Sequence, residues 1–193
     1  MARVKLTPEL KKAISALSSK EKDRLLFRLI PKDEILVAQL EYQLLEESAT
    51  VELRRDNMRN TIERSLQRAA NNYYSPGYLL LDIRAISGRI NRHVKITKDK
   101  YGEVELNLFM INRTLELLGS QLRFASPWHS RTLNEYVAKR ILKLLKLLEK
   151  IPEDYHADFR PAFQDLADAL GQQGNFIRVA KNLQLDLKML TDL

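Results

Sequence analysis

The chain has 193 residues, no cysteine, three histidines and a formal net charge of +7, a length that buries a real core without disulfide or metal staples. Without cysteine there is no disulfide framework, no thiolate nucleophile and no zinc site with Cys ligands. The charge is uneven: residues 51–100 carry a net +6 and 101–150 a net +3, against +1 for 1–50 and −3 for 151–193, so the middle of the chain suits either an anionic partner or the acidic tail.

The first residues carry early cations but no uninterrupted apolar run and no small-residue cleavage site, which does not fit a secretory signal. No later run approaches the roughly 18 uncharged apolar residues of a membrane span. The expectation is a cytoplasmic protein with no membrane span.

Thr7-Pro8-Glu9 reads as a helix start: Thr7 accepts free backbone N–H groups, Pro8 suits the first helical position and Glu9 the positive end of the dipole. The helix is expected to bury Leu10, Ile14 and Leu17. Ser18-Ser19 caps a second helix that carries Leu25, Leu26, Leu29 and Ile30 and closes at Pro31. With Lys22, Leu25, Arg28 and Leu29 on its second member, this pair resembles the SAP-type DNA-binding helix pair, although the glycines of that family's connecting loop are missing. The resemblance covers about a tenth of the chain and implies DNA binding; an ordinary αα-hairpin accounts for the same residues.

A third helix over 32–47 lines up Leu36, Leu40 and Leu44. Ser48 or Thr50 restarts the chain for a long helix to about Asn71, with Val51, Met58, Ile62, Leu66 and Ala69 as its seam. Arg54, Arg55, Arg59, Arg64 and Arg68 point several ways among acids, the pattern of a salt-bridged solvent surface. The break at 71–78 is rich in tyrosine. Tyr73, Tyr74 and Tyr78 are expected to pack their rings at the helix junction, with stacking on unpaired bases as the other reading.

Ser75-Pro76 opens a helix burying Leu79, Leu80, Ile83, Ile86 and Ile90, which ends among Arg89, Arg92, Lys95, Lys98 and Lys100. Residues 101–122 hold the most regular pattern, with Val104, Leu108, Ile111, Leu115, Leu118 and Leu122 in one line and Leu106, Met110 and Leu117 in a second. A helix apolar on two faces is central in its fold or half of an interface, so this second line is a candidate helix interface for self-association or a protein partner. Ser126-Pro127 opens the next helix, about fifty residues after the earlier Ser-Pro start, though the intervening segments match too poorly to read as a repeat.

Residues 130–151 combine an apolar half, including Leu133, Ile141, Leu144 and Leu148, with a row of Lys139, Lys143, Lys146 and Lys150 at helical spacing. That row is either a solvated face or an anion contact. Pro152 ends the helix and Pro161 starts another, burying Phe163, Leu166 and Leu170. Asn175 caps a last helix that keeps Phe176, Val179, Leu183, Leu187 and Leu190 in line.

His156 follows Glu153 in a Glu-x-x-His pair of the di-iron type, but neither His93 nor His129 supplies a second pair, so no metal site is expected. The chain has no P-loop, dinucleotide-glycine, Gly-x-Ser-x-Gly or His-Glu-x-x-His motif; no catalytic residue or cofactor is assigned. The expected fold is all-α, eight to nine helices in antiparallel hairpins forming a bundle or a short HEAT-like stack, as one domain over 1–193 with the hairpin 1–31 packed on a body of 32–193. The leading function is a non-catalytic helical interaction or scaffold module. The alternative is a nucleic-acid-binding protein using a basic surface from 84–100 and 139–150, and a third option is an enzyme or small-ligand protein with a scattered site.

Overall fold

The computed structural model describes residues 5–46 and 50–192. Among these residues it contains ten α-helices and no strand. The chain divides into two compact units, Met1–Glu47 and Ser48–Leu193. The third helix groups with the first two because it packs against the turn that ends the second.

The first unit holds α1 (Pro8–Ala16), α2 (Ser19–Leu29), a 3₁₀ turn Ile30–Lys32 and α3 (Glu34–Leu45). Local chemistry makes each helix. Thr7 accepts the Leu10 amide, Ser18 and Glu21 form a complete capping box, and Asp33 accepts the amides of Ile35 and Leu36. None of the three helices has a buried residue. The expected core positions Leu10, Ile14, Leu36 and Leu44 are exposed. Their stripes exist, but no element of the unit covers them.

The second unit is built differently. Its helices are α4 (Thr50–Asn71), α5 (Pro76–Thr97), α6 (Lys100–Phe124), α7 (Pro127–Leu148), α8 (His156–Gly171), α9 (Gly174–Asn182) and α10 (Lys188–Thr191). The consecutive helices α4 and α5, α5 and α6, α6 and α7, and α8 and α9 pair, and helices also pack two places along the chain: α4 on α6, α6 on α8, α5 on α7 and α7 on α9. That pattern is a two-layer stack of hairpins, α4, α6 and α8 in one layer and α5, α7 and α9 in the other. Side-chain pairs fix the directions. Arg55 with Asp99 and Glu63 with Arg113 place α4 parallel to α6, and Lys143 with Glu103 and Arg140 with Asn107 place α7 antiparallel to α6.

Ser75 and Ser126 each cap a helix with proline in its first turn, accepting the amides of Tyr78 and His129. They start the second helix of successive hairpins. The spacing of about fifty residues, set aside as a repeat from the sequence, is the pitch of the stack.

The core runs through all the long helices, with Ile62, Leu66, Ile90, Leu118, Ile141, Phe163 and Phe176 among its buried side chains. It also takes up Leu106 and Met110, which are fully buried, while Leu117 packs partly buried against it. The candidate helix interface on α6 is therefore internal. With α4, α5, α7 and α8 all packed on it, α6 needs apolar residues on both faces.

The acidic tail departs from expectation twice. Pro161 lies inside α8, which begins at His156 after a 3₁₀ turn Glu153–Tyr155. The last helix stops at Asn182, where Gln184 takes a left-handed φ of 58°; Leu185 turns into the core and α10 follows separately.

Candidate functional site

Lys139, Lys143 and Lys146 form the expected exposed row on α7, and Lys150 is exposed in the turn just past its end. Lys143 Nζ lies 2.7 Å from Glu103 Oε1 on α6, so one member is neutralised. Lys150 shares an open cleft of about 680 Å³ with Lys100, Arg55, Glu52 and Asp158. Tyr101 stands in this cleft, its hydroxyl donating to Asp158 at 3.3 Å. Lys95 and Lys98 are exposed near the end of α5, where Lys98 caps the helix at a φ of 59°. Arg89 and Arg92 lie elsewhere, on a groove between α4 and α5. The structure thus brings Lys100 and Lys150 together and seats Arg89 and Arg92 on a separate surface.

That groove also recruits arginines that the sequence had left on a mixed salt-bridged surface. Arg55 and Arg59 do turn toward α6, with Arg55 Nε 3.0 Å from Asp99 and Arg59 Nη1 3.0 Å from Glu105. Arg54 and Arg68 turn the other way and line the groove with Asn57, Thr61, Ser65 and Asn72. The first five of these positions recur every three or four residues, so they form one row of α4, and Asn72 follows just past its end. The facing row of α5 is Asp82, Ala85, Arg89, Arg92 and Ile96. Two hollows, of about 300 and 530 Å³, meet at Arg89, whose Nη1 donates to Ser65 across the groove at 3.3 Å. The signal in the sequence was the polar spacing of 54, 57, 61, 65, 68 and 72; it acquires meaning only once α6 is known to occupy the other face.

At one end of this hairpin the tyrosines divide. Tyr73 packs partly buried against the core, as expected, but Tyr74 is 80% exposed and Tyr78 61% exposed. Their rings meet edge to face at 5.3 Å. Tyr78, four residues before Asp82, continues the groove row of α5.

A polar knot fastens the opposite end of the hairpin. Asp99 accepts the Gly102 amide at 2.8 Å and two Arg55 N–H groups at 3.0 and 3.2 Å. Burial alone pushes the Asp99 carboxyl up, but His93, the Gly102 amide and the Arg55 guanidinium outweigh it and hold the pKa at about 2. His93 Nε2 faces the same carboxylate, 3.8 Å from Asp99 Oδ2. A Cβ on Gly102 would sit 2.1 Å from Asp99 Oδ2. Glycine is required there.

The histidines have structural work. His156 Nε2 lies 2.9 and 3.0 Å from the carbonyls of Leu148 and Ile151 at the end of α7, and His129 Nδ1 lies 3.1 Å from the capping hydroxyl of Ser126. Among the described residues no three His, Cys, Asp or Glu side chains gather as metal ligands. Between α6 and α7 lies an apolar cavity of about 30 Å³ beside Tyr136 and Arg140, room for about one water molecule. Among the described residues no helix is long and apolar enough to cross a membrane.

No protein-family model matches the chain, and neither the curated proteins nor the solved structures include a match. The likeness of α1–α2 to the SAP-type pair therefore rests on residues alone. Lys22, one of them, turns back to donate to the Ser15 carbonyl at 3.0 Å.

Proposed function

We propose that the protein is a non-catalytic helical interaction module in which the second unit is a rigid stack and the first unit is the docking element. The observation that carries this reading is the uncovered first unit. Among the described residues, half of the eighteen large exposed hydrophobic side chains, Leu6, Leu10, Ile14, Leu26, Phe27, Leu29, Leu36, Leu44 and Leu45, fall in it, although it is much the smaller. Helices of nine, eleven and twelve residues are marginal in water unless an apolar face is packed. An apolar helical surface of a partner supplies that packing, read by residues spaced at three and four. A second copy of the chain is the simplest such partner, since it needs no other molecule.

The test is sedimentation equilibrium of the full chain from about 1 to 100 µM, beside a Phe27→Ser, Leu44→Ser, Leu45→Ser variant. The expected result is reversible self-association of the parent and a monomeric variant with unchanged helix content in the second unit. A parent that stays monomeric while α1–α3 are fully protected from hydrogen exchange overturns the reading.

A further inference from the structure

The groove between α4 and α5 is chemically unlike the first unit. Its lining holds four guanidinium groups, from Arg54, Arg68, Arg89 and Arg92, and one carboxylate, from Asp82. Between the arginines, Asn57, Ser65 and Asn72 offer amide and hydroxyl donors, while the Thr61 hydroxyl donates within α4 to the Asn57 carbonyl. Planar guanidinium forks and short neutral donors are what phosphate oxygens take. The large apolar residues that also line the groove, Met58, Ile86 and Ile96, are half-buried or buried in the hairpin, so none of them protrudes as the anchor that a protein partner needs at the centre of its contact. The row on α4 runs from Arg54 to Arg68, about 21 Å along the axis, so the cations are spread along a track rather than gathered at one point.

The exposed tyrosines at the hairpin's turn add a second, independent feature. Tyr78 continues the α5 row past Asp82, and Tyr74 leans on it edge to face. Both rings are largely open to solvent, at 80% and 61% exposure for Tyr74 and Tyr78. Open aromatic faces at the end of a cationic track suit unpaired bases, whose flat faces stack whatever their identity. A duplex hides those faces. From the track and the tyrosines together, we infer that the α4–α5 hairpin binds single-stranded nucleic acid, with phosphates along Arg54, Arg68, Arg89 and Arg92 and a base on Tyr74 or Tyr78. This surface differs from the one expected at 84–100 and 139–150: it keeps Arg89 and Arg92, adds α4, and leaves out the α7 lysines.

The experiment is a fluorescence-anisotropy titration of the full chain with labelled single-stranded oligo-dT and oligo-U at 50 and 200 mM salt. Four phosphate contacts to a single strand predict a fall in affinity of roughly 50-fold between the two salts. Arg68→Gln with Arg89→Gln should lower affinity at least ten-fold at 50 mM and cut the salt slope by about half. Tyr74→Ala with Tyr78→Ala should lose about ten-fold with an unchanged slope, and phenylalanine at both positions should restore it, because stacking needs the ring and not the hydroxyl. Changing Lys139, Lys143, Lys146 and Lys150 together to Gln should alter affinity less than three-fold. These side chains are exposed, and matched thermal melts establish that each variant remains folded. Absence of binding at 50 mM, equal loss from the lysine variant, tighter binding of a duplex of the same length, or stronger binding of a polyglutamate peptide would each overturn the inference.

Discussion

The two units answer the same problem, covering an apolar helix face, in opposite ways. In the second unit α6 has neighbours on every side and buries Val104, Leu106, Leu108 and Met110 in succession. In the first, Leu10 and Ile14 form an equally regular stripe on α1, and both remain exposed. The difference is length and topology rather than composition. Helices of 22 to 25 residues in hairpins can stack on partners two places away. The three short helices of the first unit bury none of their described residues, and their order rests on local terms worth about 1 kcal/mol each.

The largest expected effect therefore separates the units. Phe163→Ala, in the core of the stack, should cost about 3–5 kcal/mol in chemical denaturation. Phe27→Ala, 74% exposed in the first unit, should change the same transition by less than about 0.5 kcal/mol. Similar losses at the two positions would break the distinction.

Next is the Asp99 knot, which belongs to the stack alone. The unfolded carboxyl takes up a proton near its usual value of 3.8, while the folded one does so only near 2. The carboxyl's contribution, about 2 kcal/mol, is therefore complete above pH 5 and lost as pH falls from about 4 to 2. Asp99→Asn should remove most of that acid sensitivity, as seen in the slope of stability against pH. Gly102→Ala, whose new methyl meets Asp99 and Arg55, should cost about 1–3 kcal/mol.

A smaller effect sharpens the account of the first unit. Ser18→Ala breaks the capping box with Glu21 and should lower helix content by fraying α2, at a local cost of about 1 kcal/mol, without moving the main transition. The smallest is at Lys143. Its exposed pairing with Glu103 is worth at most about 1 kcal/mol, so Lys143→Gln should leave the melting curve nearly unchanged.

Much of the stack was legible in the sequence because its signals are local. Ser75-Pro76 and Ser126-Pro127 specify helix starts wherever the helices go, and the spacing of Ile62, Leu66 and Ala69 specifies a buried seam. What stayed hidden depended on neighbours. A second apolar line at Leu106 and Met110 reads identically whether the missing neighbour is another helix of the stack, such as α5 beside Met110, or another protein. The stripe of Leu36 and Leu44 reads as core when nothing shows that it lacks a cover. The arginines of α4 looked scattered because a helix alone does not say that Arg55 and Arg59 will meet α6 while Arg54 and Arg68 face α5's outer edge.

The central claim is that the stack is complete in itself and the first unit is not. Native-state hydrogen exchange of the full chain, resolved by helix and repeated from about 1 to 100 µM, tests it most directly. The account predicts that α6 amides exchange only through global unfolding at every concentration, while α1–α3 amides exchange almost freely in dilute solution and gain protection as the chain concentrates. Protection of α1–α3 equal to that of α6 in the dilute chain would contradict it.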